Sequence, residues 1–352
     1  MNQDPDQPAN LSAGQKQEHL AALLKESASS TNGDHSQEEI MTRAFVYRSR
    51  LRDWDSLASV RGGPRRLLED EEAKGKVYFS TRLTPYVHHP LVVRLGPEAQ
   101  RALVIHRLYH YLDFTANFEI EVVNRAAQRI AMGMTGFDLP AEMASDAYKI
   151  YCDEGYHSFF SIDLKLQVQA ATGVTPLPYN FDRFLRRLYK ASEKVPANLK
   201  PIASLLTVIV FETLISLILN KLPKDQQVVS AVRQVISDHA DDEARHHAFF
   251  SSFFEFLWPQ LSGRQRSTLG LLLPHFIIKS LEPDYDSIKQ CLAVTTLKPE
   301  EIDQVVEECY PWKSVIADLR NTASATLRLF KRNGAFDDLP TYDAFQASGL
   351  ID

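Results

Sequence analysis

Four long stretches of helical periodicity, at about 97–133, 140–172, 198–221 and 225–259, each carry a carboxylate in the middle of an apolar stripe. In the first, Leu108, Leu112, Thr115, Val122, Val123, Ala126 and Ile130 follow helical spacing, and Glu119 falls among them. Glu121 falls instead with His110, Asn117, Arg125 and Gln128, so the pattern predicts Glu119 facing inward and Glu121 outward. In the second, Glu154 and His157 lie on the stripe of Ala147, Ile150, Tyr151, Ser161, Leu164 and Val168. In the third, Glu212 sits among Leu205, Val208, Ile209, Ile215 and Leu219. In the fourth, the stripe of Val232, Ile236, Phe250 and Phe253 passes through His239, Glu243 and His246. A buried carboxylate without a partner is costly, and four that converge repel one another unless cations neutralise them.

Glu119, Glu154-x-x-His157, Glu212 and Glu243-x-x-His246 together form the pattern of a ferritin-like di-metal carboxylate site: one Glu from each of two helices and Glu-x-x-His from each of the other two. Oxygen and nitrogen ligands with open positions suit iron that must bind oxygen. Taken singly, each element has a blander reading. Glu-x-x-His recurs by chance, and a lone Glu212 is equally a protonated core residue. The order on four consecutive long helices favours the metal. His247 lies about 100° round the helix from His246, so the spacing from Glu243 selects His246. His247, His106 and His110 are expected at the surface or behind the ligands. Asp238 and Asp242 flank the ligands; their default role is solvated helix-face charge, the alternative being to orient a ligating imidazole.

No alternating strand array is present, so the fold class is all-α: a four-helix bundle with further N- and C-terminal helices. Residues 1–37, rich in Gln, Asn, Asp, Ser, Gly and Pro, read as a flexible arm with one short helix near 15–25. A helical domain is expected over 38–335, with its core bundle at 97–260 and a tail at 336–352. Helical pattern runs over 38–57, and a loop-rich stretch follows to Pro90. Shorter helices are expected near 181–192, 263–280, 284–294, 298–308 and 313–331, and the chain from Asn333 reads as loop.

The net charge of -6 offers no basic excess for a phosphate backbone, which argues against nucleic acid. The odd, scattered Cys152, Cys291 and Cys309 indicate neither a zinc knot nor a disulfide framework, and a reducing cytoplasm fits them. The start of the chain has no apolar run of the secretory kind. The apolar segment 205–222 nearly reaches membrane-spanning length, but Glu212 at its centre favours the buried core of a soluble bundle.

His239 adds a seventh candidate ligand one turn before Glu243. With it, the chain resembles the p-aminobenzoate N-oxygenase family, over roughly residues 97–260 and more loosely across the helical region. The resemblance implies that Glu119, Glu154, His157, Glu212, His239, Glu243 and His246 hold two iron ions, with O2 as co-substrate and electrons from an external donor. It implies oxidation of an aryl amine to hydroxylamine, nitroso and nitro products through a peroxo-di-ferric species, as in antibiotic biosynthesis. Tyr111, Phe118, Phe160 and Phe211 are close to the ligands in sequence, and core packing is their default role. An acidic aryl amine calls for a cation, for which Arg320 and Arg328 are candidates. No nucleotide-binding fingerprint is present, so a small reductant or redox protein is the expected electron source, and a homodimer is the general expectation for such a bundle. A di-iron C–H hydroxylase or desaturase and a ferritin-like iron- or peroxide-handling protein remain alternatives.

Overall fold

The computed structural model describes residues 45–69, 71, 75–214 and 217–352. The expected arm over 1–37, with its helix at 15–25, lies outside them. Among the described residues the only strand-like contact is a parallel bridge between Val77 and Val228.

Of the helix expected over 38–57, residues 38–44 lie outside the described ones, and the described remainder is not a continuous helix. From Phe45 the chain has no regular structure until two single turns, α1 (Trp54–Leu57) and α2 (Ser59–Gly62). The reason is tertiary. Tyr47 Oη and the Arg50 backbone N–H donate to the buried Asp146 carboxylate at 2.7 and 3.0 Å, and Ser49 Oγ donates to it at 2.9 Å. Three groups so close in sequence reach one carboxylate from an irregular backbone, and this overrides a weak helical preference.

After α3 (Pro90–Val93) the bundle begins. Helix α4 (Pro97–Phe118) starts with proline at its first position and runs through one π turn, Glu119–Val123, into α5 (Asn124–Ala131). Helix α6 (Ala141–Thr172) ends on Gly173 at φ +69°, the left-handed conformation that glycine adopts without penalty. After α7 (Phe181–Tyr189) comes α8 (Lys200–Glu212), buried almost all round. The continuous helix expected over 198–221 is broken at Thr213, and α9 (Leu217–Lys221) follows. Helix α10 (Ser230–Leu257) completes the four. Helix α6 packs against α4, α5 and α10, and α8 packs against α10. None of the described helices is long and apolar enough to cross a membrane.

The remaining helices are α11 (Gly263–Gly270), α12 (Leu273–Leu281), α13 (Tyr285–Leu292), α14 (Pro299–Cys309), α15 (Trp312–Thr322), α16 (Ser324–Arg332) and α17 (Leu339–Ala347). The last corrects the expectation of a loop-like tail from Asn333. Asp338 caps α17 by accepting from the Thr341 N–H at 3.1 Å, and Phe345 and Leu350 are buried. Helix α17 lies so close to α11 that a Cβ on Gly270 would stand 2.1 Å from Thr341 Oγ1. We therefore expect Gly270→Ala to destabilise the fold by about 1–3 kcal/mol, as overpacking does, with metal content unchanged; thermal melting checks this.

The apolar core comes in two clusters along the bundle. One holds Phe118, Val122, Ile150, Val210, Phe249 and Phe253; the other holds Leu108, Leu112, Leu164, Val168, Val232 and Ile236. On α6 and α10 the stripe residues between these clusters are polar: Glu154, His157 and Ser161 on the first, His239, Glu243 and His246 on the second.

Candidate metal centre

Six of the seven singled-out side chains are buried between the two core clusters: Glu119, Glu154, His157, Glu212, His239 and His246. Glu243 is half-buried. Glu154 touches two imidazoles, its oxygens 2.9 Å from His157 Nδ1 and 2.9 Å from His246 Nδ1. Glu243 Oε1 lies 3.5, 3.2 and 3.3 Å from nitrogens of His157, His239 and His246. Glu119 Oε1 is 3.6 Å from His239 Nε2. One ligand atom from each of Glu119, His157, His239 and Glu243 falls within 4.8 Å of the others, and so does one from each of Glu154, His157, Glu243 and His246. Glu119, Glu154 and Glu212 form a third such group, which brings in α8. Glu121, by contrast, points outward and pairs with Arg125.

Each imidazole turns one nitrogen toward the carboxylates and has its other nitrogen near an outer group. His157 Nε2 faces Asp242 Oδ2 at 3.1 Å, His246 Nε2 faces Asp153 Oδ2 at 3.0 Å, and His239 Nδ1 lies 3.5 Å from Tyr111 Oη. Such partners set the ring orientation and leave the inner nitrogen as a lone-pair donor. Asp242 is therefore the imidazole partner, against its default role as solvated charge; Asp238 pairs with Arg66 instead. Asp153 escaped the sequence reading although it continues the buried stripe Asp146, Ile150, His157; its adjacency to Glu154 masked it.

The donor set fits two divalent metals. Glu119 Oε2, Glu154 Oε1, Glu212 Oε2, His239 Nε2, Glu243 Oε1 and His246 Nδ1 are buried and make no properly aligned hydrogen bond. Six unpaired atoms at the centre of a protein are costly unless something binds them. The protonation equilibria show the same strain. Burial, then the Glu154 charge, pushes Glu119 up to about 8. Burial and then Glu243, Glu154 and Glu119 hold Glu212 well above the usual carboxylate range. Burial also works against ionised Glu154 and Glu243, but the imidazoles outweigh it and hold both below that range. Negative charges crowd the space, which favours the protonated forms of Glu119 and Glu212. Two dications would take the place of those protons and satisfy the unpaired atoms.

A cavity of about 370 Å³ reaches this cluster and is lined by Glu119, His239 and Glu243. Phe114, Phe184, Phe211 and Leu319 supply apolar wall, and Tyr111, Arg107, Arg187 and His110 also line it. Of the four aromatics near the ligands, Tyr111 and Phe211 thus reach the cavity. Phe118 stacks under Phe211 at 3.7 Å, and Phe160 packs on His157 and His239. The structure does not bring Arg320 or Arg328 to the cavity. Arg320 binds the Gly349 and Ile351 carbonyls and Asp352, and Arg328 is exposed. Of His247, His106 and His110, only His110 lines this cavity, 3.4 Å from Asp284.

A helical bundle around a buried cluster of four carboxylates and three imidazoles defines a ferritin-like protein of the di-iron type. The chain matches the family described as "P-aminobenzoate N-oxygenase AurF" over residues 66–334, and it belongs to that family. The family is one of di-iron N-oxygenases. No curated protein matches the chain in sequence.

Proposed function

We propose that this chain is an O2-dependent di-iron oxygenase that oxidises the nitrogen of an aryl amine to a hydroxylamine and onward to nitroso and nitro products. The observation that carries this reading is the cavity, which puts an aromatic-walled space directly against Glu119, His239 and Glu243. The seven side chains would hold two iron ions. When bound, these supply O2 reduction: amine, O2, two electrons and two protons give hydroxylamine and water.

The rest is done by the chain's own residues. Phe114, Phe184 and Phe211 pack on one another and offer an aromatic wall to a flat ring, and the cavity volume lies within the range of small-molecule sites. Arg107 reaches His110 Nδ1 at 3.2 Å and lies over the Phe79 ring at 4.9 Å. Arg187 is already paired with Asp284 at 3.3 Å. Arg107 is therefore the better cation for an acidic group on the substrate. Antibiotic biosynthesis, a homodimeric state and a cytoplasmic location complete the reading and rest on the family resemblance and composition alone.

The test is incubation of reduced, iron-loaded protein with anilines and isotopically labelled O2. N-oxygenated product carrying the label supports the reading. Oxidation only at carbon would replace it with a C–H hydroxylase, and assembly into a large shell on a sizing column would point to iron storage. Arg107→Leu should raise KM for p-aminobenzoate roughly tenfold or more, the usual worth of a charge-assisted hydrogen bond, and leave KM for unsubstituted aniline unchanged. Equal effects on both substrates would remove Arg107 from the acid-binding role.

A further inference from the structure

Asp153 and Asp242 both back an imidazole of the cluster, but their outer partners differ. Asp242 accepts from the Ser59 backbone N–H at 3.3 Å and from Arg245, ordinary donors that fix a carboxylate in place. Asp153 is fully buried, and its Oδ1 accepts from the indole Nε1 of Trp54 at 2.8 Å. Its Oδ2 faces His246 Nε2 at 3.0 Å. Trp54 is half-buried, and Arg61 lies over its ring, 5.5 Å from the centroid. Two short polar contacts therefore join a surface-reaching indole to an imidazole of the cluster.

We infer that Trp54, Asp153 and His246 form the route by which single electrons enter the metal centre, and that the donor is an acidic one-electron carrier protein seated over Trp54. The inference rests on the di-iron reading. The proposed reaction consumes two electrons per oxygen transfer, and the cavity is the substrate's place. A second connection to the surface lets the donor act with substrate bound.

The charge around Trp54 identifies the class of donor. Residues 45–66 contain six arginines against two aspartates, in a chain whose net charge is -6. Arg48, Arg50, Arg52, Arg61 and Arg65 are all exposed. Arg61 pairs with Asp55 at 3.6 Å and Arg65 with Asp163 at 2.7 Å, which leaves Arg48, Arg50 and Arg52 as the arginines of the patch with no ion pair among the described residues. A locally basic patch on an acidic protein attracts an acidic partner and orients it on approach.

In each encounter the donor is oxidised by one electron and the metal pair is reduced by one. Two encounters take the pair from di-ferric to di-ferrous. No bond forms or breaks along the route, and neither Asp153 nor His246 gains or loses a proton.

The test uses the full chain loaded with iron, oxidised, and mixed with reduced plant-type [2Fe–2S] ferredoxin as donor. Trp54→Phe should clearly slow metal reduction, because it removes the indole N–H that contacts Asp153 at 2.8 Å and begins the route. Its iron content, and its product yield in a single turnover after prior reduction by dithionite, should match the parent. Arg52→Glu combined with Arg61→Glu should raise the ferredoxin concentration for half-maximal rate and flatten its salt dependence. An unchanged reduction rate in Trp54→Phe overturns the route. Loss of iron and of single-turnover yield together with the rate also overturns it, because the indole would then only position His246. A salt dependence untouched by the double arginine variant overturns the docking patch. A parent protein that takes up no iron overturns the functional reading itself and the route with it.

Discussion

Glu154→Ala should lose both bound metals, whereas Glu121→Ala should keep them. Glu154 is the carboxylate whose two oxygens each lie 2.9 Å from a different imidazole, His157 on its own helix and His246 on α10. It also belongs to two of the three groups of converging ligand atoms. Its removal takes an anionic donor from both halves of the cluster at once. Partners that merely orient a ligand are worth tenfold to a hundredfold in affinity, so loss of a shared ligand should cost on the order of a hundredfold or more. The four helices should persist, because the two apolar clusters that pack them are untouched by the change. Glu121 is one residue pair away from Glu119 in sequence but turned to solvent, beside Arg125. Elemental analysis after iron loading, with circular dichroism as the check on helicity, reads the result. Iron retained in Glu119→Ala but lost in Glu121→Ala would show that the helix faces are assigned the wrong way round.

Metal-free protein should lose stability as pH rises from 6.5 to 8, and bound metal should abolish that loss. Burial and the Glu154 charge raise Glu119 from the ordinary 4.5 to about 8, so the folded state keeps a proton that the unfolded chain has released. Glu212 is raised in the same direction. His157 is also raised, to about 9: burial and His239 work to lower it, but Asp242 and Glu154 outweigh them. A group raised in the folded state contributes stability that is complete below its unfolded value and disappears as pH rises through its folded value. The slope is about 1.4 kcal/mol per pH unit for each proton held only by the folded state.

Other groups do not reverse the sign in this window. Glu154 and Glu243 are lowered, so their contribution changes below 4.5. His275, lowered by burial to about 4, and His106, His110 and His247, also lowered by burial, oppose the trend only below 6.5. Metal binds the deprotonated ligands, so its uptake releases protons and tightens as pH rises. A metal at a thousand times its dissociation constant adds about 4 kcal/mol. Thermal melting with and without anaerobic ferrous iron, across this window, checks the sign. A metal-free melting temperature that is flat or rising would show that Glu119 and Glu212 are already ionised.

The candidate ligands were legible because the information needed is local. A helix with 3.6 residues per turn projects residues three and four apart onto one side. A carboxylate on an apolar stripe therefore announces its own burial, as Glu119, Glu154 and Glu212 did and as Glu121, off the stripe, did not. The same periodicity cannot show where a helix stops when the cause lies elsewhere. Helix α8 ends at Glu212, where Thr213 Oγ1 donates to the Ile209 carbonyl at 2.8 Å. From α16, Thr326 Oγ1 donates to the Thr213 carbonyl, also at 2.8 Å. The C-terminal helices thus hold the end of the helix that carries Glu212. The segment at 45–53 is the opposite case: helical in pattern, but held irregular against α6 by its contacts with Asp146.

What the sequence by itself determined was the all-α class, the order of the four long helices, and which side chain on each turns away from water. These follow from rotation about a single helix axis and from the cost of burying charge, and neither depends on how the helices cross. The tertiary structure alone decided that Asp153 and Asp242 back the imidazoles, that Arg107 and Arg187 rather than Arg320 and Arg328 reach the cavity, and that the tail folds as α17 against Gly270. Each of these is a contact between segments far apart in the chain. Only the angles and distances at which the helices pack bring such segments together.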